Sequence, residues 1–291
     1  MVPRRTFFAA LALLAAMPVI VAAAQQALAQ ARVRPPATDN AEMMENCPGM
    51  VASRPPRAVP AAFKLAALAG DQVRITYAGH STFMLESPQG VKIATDYNDY
   101  VKPRALPDIA SMNHAHSTHY TDSPDPSIKH VLRGWGPSPE QPARRDIQVS
   151  DVRVRNVPTN IRNYMSGGTE RHGNSIFIFE IANLCIAHLG HLHHTLSQQQ
   201  LNEIGRIDAV MVPVDGGVTL DHEGMAEVLA ALKAPLMIPM HYFSTYSLRG
   251  FLNVLSSKSY ELEMSEASSV VISKTTLPAK PKVLVLPGRA F

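Results

Sequence analysis

Met112-Asn113-His114-Ala115-His116-Ser117-Thr118-His119 puts three histidines within six residues. In an extended segment, side chains two positions apart leave the same face, so His114 and His116 can present their imidazoles to one ion. A turn beginning near Ser117 swings His119 to a neighbouring position. A solvated His-rich loop is the plain alternative. Against it, two more histidines close apolar runs of strand character: His188 after Leu184-Cys185-Ile186-Ala187, and His241 after Leu236-Met237-Ile238-Pro239-Met240. The chain has 12 histidines and two cysteines, Cys47 and Cys185, so a Cys-rich zinc module is excluded and any metal must rest on other side chains.

Around this segment the pattern from residue 71 onward is short strands between turns. Val73 to Tyr77 and Thr82 to Leu85 come first, then the turn Ser87-Pro88-Gln89-Gly90, then Val91 to Thr95 in clean alternation. Further strands are predicted at 147–157, 175–181, 184–188, 207–214, 235–240, 269–273 and 283–286. Ser197 with Gln200 makes a capping box, with Leu196 and Leu201 as the staple pair and Gly205 as the stop. A second helix starts after Asp221 and carries Met225, Val228, Leu229 and Leu232 at helical spacing, and a third spans about 247–255. Few helices among many strands suggest helix layered outside paired sheets.

The N-terminal quarter reads differently. Arg4 and Arg5 precede an uncharged apolar run from Phe7 to Ala24, and Ala27-Leu28-Ala29 is a small-x-small cleavage pattern, so residues 1–29 are predicted to be a signal peptide. The order Arg4-Arg5-Thr6-Phe7-Phe8 is similar to a twin-arginine export signal, which points to a periplasmic or secreted protein. With the leader gone, no stretch is apolar for long enough to span a bilayer. Residues 30–70, rich in Pro and Ala, read as a linker or arm, and 71–291 as one domain. Cys185 either pairs with Cys47 or lies as an inert thiol in its apolar strand, and the strand setting favours the thiol. The formal net charge of +3 falls to +1 without Arg4 and Arg5, which excludes a strongly basic nucleic-acid binder.

In motif order the chain resembles the metallo-β-lactamase-fold hydrolases, specifically their lactonase-like and phosphodiesterase-like branch. Tyr77-Ala78-Gly79-His80-Ser81-Thr82-Phe83 is similar to the opening Gly-His strand, and Ile93-Ala94-Thr95-Asp96 to the strand ending in a supporting Asp. His114 to His119 stands in the place of the His-x-His-x-Asp-His signature. His188-Leu189-Gly190-His191-Leu192-His193-His194 stands for the His-x-Gly-Asp-x-Gly-His segment, Val212-Pro213-Val214-Asp215-Gly216-Gly217 for the Pro-Val-Gly-Gly loop, and Ile238-Pro239-Met240-His241-Tyr242 for the final metal-binding His. The resemblance covers about residues 71–245 and implies an α/β fold, the four-layer αββα sandwich of this family.

It also implies a site. The metal ligands would be His114, His116, His119, His188, His191 and His241. Asp96 would orient a ligand imidazole through its far N–H, and His191 would take the acid–base role of the family carboxylate. His80, Thr118, Asn160, His172 and His194 would line the substrate or back the ligands. Three positions depart from the pattern: Thr118 and His191 replace carboxylates, and Asn160 replaces a histidine. Losing two negative charges leaves paired dications less compensated, so one firmly held ion is expected and a second site is weak or absent. Zinc suits imidazole best, although iron, copper and nickel also accept it.

The expected activity is that of an exported hydrolase directing a metal-bound hydroxide at an ester, lactone, thioester or phosphodiester-type substrate. A secreted metal- or ligand-binding protein of the same fold without catalysis is the rival reading. The partner would be a small-molecule substrate. Composition of the loops at 120–146 and 160–174 names no ligand, and nothing in the sequence fixes oligomeric state.

Overall fold

Burial alternates along Val73-Arg74-Ile75-Thr76-Tyr77-Ala78-Gly79, with Val73, Ile75 and Tyr77 inward. This is the period of a strand with one face on a core. The computed structural model describes residues 67–163 and 167–288. The predicted signal peptide and nearly all of the predicted linker lie outside the described residues.

Two mixed sheets stack face to face. The first has the order β13 (Ser269–Ile272), β1 (Val73–Gly79), β2 (Thr82–Glu86), β3 (Lys92–Ala94), β4 (Ile109–Met112) and β5 (His130–Arg133). The second has the order β12 (Glu261–Met264), β14 (Lys282–Val285), β11 (Leu236–Met240), β10 (Ala209–Pro213), β9 (Leu184–His188), β8 (Thr169–Ile181), β7 (Val152–Arg162) and β6 (Asp146–Val149). The strand expected at 147–157 is in fact two, β6 and the start of β7. They are antiparallel and turn at Ser150, whose φ of 55° reverses the chain. β4, β5 and β12 carry too little alternation to be read from sequence, because β4 is buried on every residue and β12 exposed on every residue.

β10 shows how two cores share one strand. Ala209 and Met211 face the other sheet, with Ile75, Phe83, Ile93, Phe177 and Phe179. Val210 and Val212 face the helices. Strands covered on both sides read as continuous apolar runs for this reason. The helices are α1 (Gln198–Ile204), α2 (His222–Leu232) and α3 (Thr245–Ser257), and they bring Leu201, Met225, Leu229, Phe251 and Leu255 onto that second core. The capping box at Ser197 and the Asp221 cap on Gly224 N–H form as expected. Over the outer face of the first sheet, Tyr120 and Trp135 from loops cover Ala94, Tyr97 and Met112.

Cys185 is fully buried and disulfide-bonded, which corrects the expectation of an inert thiol. Cys47, the chain's other cysteine, lies outside the described residues. No helix among the described residues is long and apolar enough to cross a membrane.

Candidate metal centre

The ends of β1, β3, β4, β9, β10 and β11 meet at one edge of the sandwich and deliver His80, Asp96, His114, His191, Asp215 and His241. The backbone is bent there. His80 (φ 50°), Asp96 (φ 41°) and His241 (φ 54°) all occupy left-handed conformations that non-glycine residues avoid. Strain of this kind persists where surrounding contacts over-determine it, typically at functional sites. One such contact runs from His241 N–H to the His80 carbonyl at 2.8 Å, and the Tyr77 hydroxyl donates to the same carbonyl at 2.7 Å.

Which imidazole nitrogen is available to an ion is decided by the partner of the other one. His119 Nδ1–H donates to Asp96 Oδ2 at 2.6 Å, and Asp96 Oδ1 accepts from Asn113 N–H. His241 Nδ1–H donates to Asp215 Oδ2 at 2.9 Å. Both rings therefore present bare Nε2 lone pairs, and these face each other at 3.2 Å. Two lone pairs at that separation repel unless a proton or a cation lies between them. Ligands about 2.0–2.1 Å from a tetrahedral zinc would be about 3.3 Å apart, so the pair fits a cation. His80 completes the group: ligand atoms of His80, His119 and His241 all lie within 4.8 Å of one another, and all three residues are buried.

The remaining histidines sort by the same test. His114 Nδ1–H donates to the Gly173 carbonyl at 2.7 Å, leaving Nε2 for an ion. His116 Nδ1 is 3.1 Å from Thr118 Oγ1, so Thr118 supports an imidazole. The His114 and His116 rings lie 6.2 Å apart and parallel, and the His191 ring lies 5.3 Å from His114, 4.8 Å from His119 and 5.0 Å from His241. His188 is set apart from the expected ligand set. Its Nε2–H donates to the Ser81 carbonyl of the other sheet at 2.8 Å and its Nδ1 accepts from Gly190 N–H two residues on, so both nitrogens are engaged within the protein. Asn160 pins the His172 backbone across the β7–β8 hairpin through a 3.0 Å bond. His194 lines a separate small cavity with Thr159, Leu192 and Gln200.

Burial disfavours the charged form of His80, His119 and His191. It lowers the His80 pKa to about 3, helped by the charge of His241, and pushes His119 well below its usual value, helped by His241 and His80. Burial, and then its neighbours His119 and His241, likewise hold His191 far below it. Asp96 is raised to about 6 by burial. Burial acts in the same direction on Asp215, but the His241 hydrogen bond prevails and holds that carboxyl below its ordinary value. Asp215 also accepts from the Gly217, Val218 and Thr219 amides and the Thr219 hydroxyl.

Asp215 was not among the residues expected at the site. Its signal is a lone carboxylate directly after an all-apolar strand. His80 groups with His119 and His241, the three that could hold an ion, and His193 was not expected to touch His191.

The beta-lactamase superfamily domain family matches residues 74–241. A UPF0173 metal-dependent hydrolase of Thermoplasma acidophilum is 25% identical over 198 residues, covering 61% of this chain and 86% of the relative. One from Thermoplasma volcanium is 27% identical over 188 residues, covering 58% and 83%. A Thermotoga maritima crystal structure, assigned as a Zn-dependent hydrolase of the metallo-beta-lactamase superfamily, superposes with a TM-score of 0.55 at 27% identity, covering 75% of this chain and all of that one. With converging strand ends, carboxylate-held imidazoles and a family match over more than half its length, this chain belongs to the metallo-β-lactamase superfamily.

Proposed function

We propose that the chain is an exported metal-dependent hydrolase of small molecules containing an ester, lactone, thioester or phosphodiester group. The carrying observation is the pair of Nε2 atoms 3.2 Å apart, each on a ring whose Nδ1–H is held by a buried carboxylate. A divalent cation bound there, with zinc the first choice, supplies Lewis acidity that polarises a carbonyl or phosphoryl group and activates water at neutral pH. His119, His241 and His80 would hold it, and His114 and His116 offer further imidazoles on the facing side.

Asp96 and Asp215 keep protons on the Nδ1 atoms of His119 and His241, so that neither ring can turn its lone pair away. Phe243 is 63% exposed yet packs its ring 5.2 Å from His241 and 5.6 Å from His80. It forms an apolar lip beside the centre. The leader read at residues 1–29 supports export to the periplasm or beyond.

The test is elemental analysis of the purified mature protein together with a panel of esters, lactones, thioesters and phosphodiesters. One tightly held ion per chain, and turnover lost in His119→Ala, are expected. Stoichiometric metal with no turnover across the panel would favour the binding protein over the enzyme, a reading to which the carboxylates replaced by Thr118 and His191 lend support. Failure to retain any metal would refute the metal-dependent hydrolase.

A further inference from the structure

His191 is wired in the opposite sense to its neighbours. A backbone amide can only donate, so Arg162 N–H, 3.0 Å from His193 Nδ1, makes that nitrogen an acceptor. Neutral His193 then carries its proton on Nε2, which points at His191 Nδ1 from 2.7 Å. His191 Nδ1 is therefore an acceptor too, and the proton of neutral His191 lies on Nε2. A protonated nitrogen has no lone pair for a cation.

We propose that His191 is not a metal ligand but a fixed hydrogen-bond donor for an anionic oxygen of the molecule bound at this centre, with His193 as the positioning residue that sets its tautomer. The reading of what it serves rests on the proposed hydrolase function, whereas the tautomer does not. The backbone around His191 is held firmly. Its own N–H donates to Asn174 Oδ1 at 2.9 Å, and Gly190 before it sits at φ +60° where a Cβ would lie 2.5 Å from that same oxygen. His191 retains 6% exposure, and its ring lies within 6.3 Å of the rings of His114, His116, His119 and His241. The donor thus stands amid the lone pairs that would bind an ion.

The chemistry of the exchange follows. A carboxylate here brings negative charge and lone pairs to metal ions, whereas an imidazole N–H brings the positive end of a dipole. That suits an oxyanion, a carboxylate or a phosphoryl oxygen, and disfavours a second cation. No proton needs to move: the hydrogen bond alone orients and stabilises the oxygen.

Three measurements on the full mature chain test this. With histidine side chains labelled with 15N, the two-bond nitrogen–proton spectrum should show His191 as the Nε2–H tautomer before and after zinc loading, and His193→Phe should move it towards a mixture. In chelator competition, His191→Gln and His191→Phe should stay within about threefold of wild type, while His119→Ala falls by about 100-fold or more. Inorganic phosphate, added to the zinc-loaded protein, should bind about tenfold more weakly to His191→Phe than to His191→Gln, which keeps a donor. A loss of zinc affinity beyond about 30-fold in His191→Gln, or an Nδ1–H tautomer for His191, would make it a ligand and overturn the proposal. Equal phosphate affinity in wild type and both His191 variants would remove the donor role. None of these readouts depends on any substrate being hydrolysed.

Discussion

Replacing Asp215 with Asn removes one charge and almost no volume, and its effect can be worked out from the bonds around it. The side chain is 3% exposed. Its Oδ1 takes three backbone amides, from Gly217, Val218 and Thr219, and its Oδ2 takes Thr219 Oγ1 and His241 Nδ1. An Asn amide oxygen would stay with the three amides, so its NH2 group would face Thr219 and His241. The threonine hydroxyl can rotate to accept. The imidazole must change tautomer, which places its proton on Nε2, 3.2 Å from His119 Nε2.

The metal-free protein then gains an N–H···N bond that partly offsets the lost charge-assisted one, itself worth about 1.5–3 kcal/mol. The metal-bound protein gains nothing and must undo the switch. Zinc affinity should therefore fall by 10–100-fold, the range for such supporting carboxylates, or about 1.4–2.7 kcal/mol. The metal-free melting temperature should fall by less than the metal-loaded one. Chelator competition and thermal melts with and without zinc measure both. Wild-type zinc affinity in Asp215→Asn, or equal loss of melting temperature in both states, would refute the reasoning.

Further outcomes follow from other contacts. Gly190→Ala places a Cβ 2.5 Å from Asn174 Oδ1 and 2.6 Å from Asn113, at φ +60°. This should cost about 1–3 kcal/mol, a fall of about 2–4 °C in melting temperature per kcal/mol for a chain of this size; an unchanged melt would contradict the packing described. His188→Gln should lower stability by about 1–3 kcal/mol through unmade buried hydrogen bonds while leaving metal stoichiometry intact, and loss of the ion would return His188 to the ligand set. For pH, His80 and His193 titrate near 3 and 4 in the fold and near 6.5 when unfolded, so between those values the unfolded chain binds more protons. Their contribution is complete above pH 6.5 and is lost as pH falls towards 4. Asp96, raised to about 6, opposes this over part of the range, but it is one group against several lowered histidines. Metal-free denaturation midpoints should therefore fall from pH 7 to pH 5, and a rise over that interval would count against the buried, neutral imidazoles.

Much of the architecture was legible because local rules suffice for it. The alternation in Val73 to Tyr77 and the stripe of Met225, Val228, Leu229 and Leu232 are periodicities of single elements. The Ser197–Gln200 capping box spans three residues. β4 and β12 escaped because uniform burial or uniform exposure erases the alternation that marks a strand. The division of 147–157 into two strands depends on a left-handed Ser150, a conformation that serine does not advertise.

Residue types alone imply that imidazoles, not thiolates, make up the centre, and their order along the chain places them at strand ends in the pattern of one superfamily. Residue type and spacing along the chain carry that much. What each histidine can do depends on the folded chain, because a neutral imidazole is donor at one nitrogen and acceptor at the other, and its partner selects which. The partners are remote: Asp96 for His119 is 23 residues away, Asp215 for His241 is 26, and the Ser81 carbonyl that withdraws His188 is 107. No pattern within a strand encodes a hydrogen bond between separate strand ends, so the free and the engaged nitrogens became distinguishable only once the chain had folded.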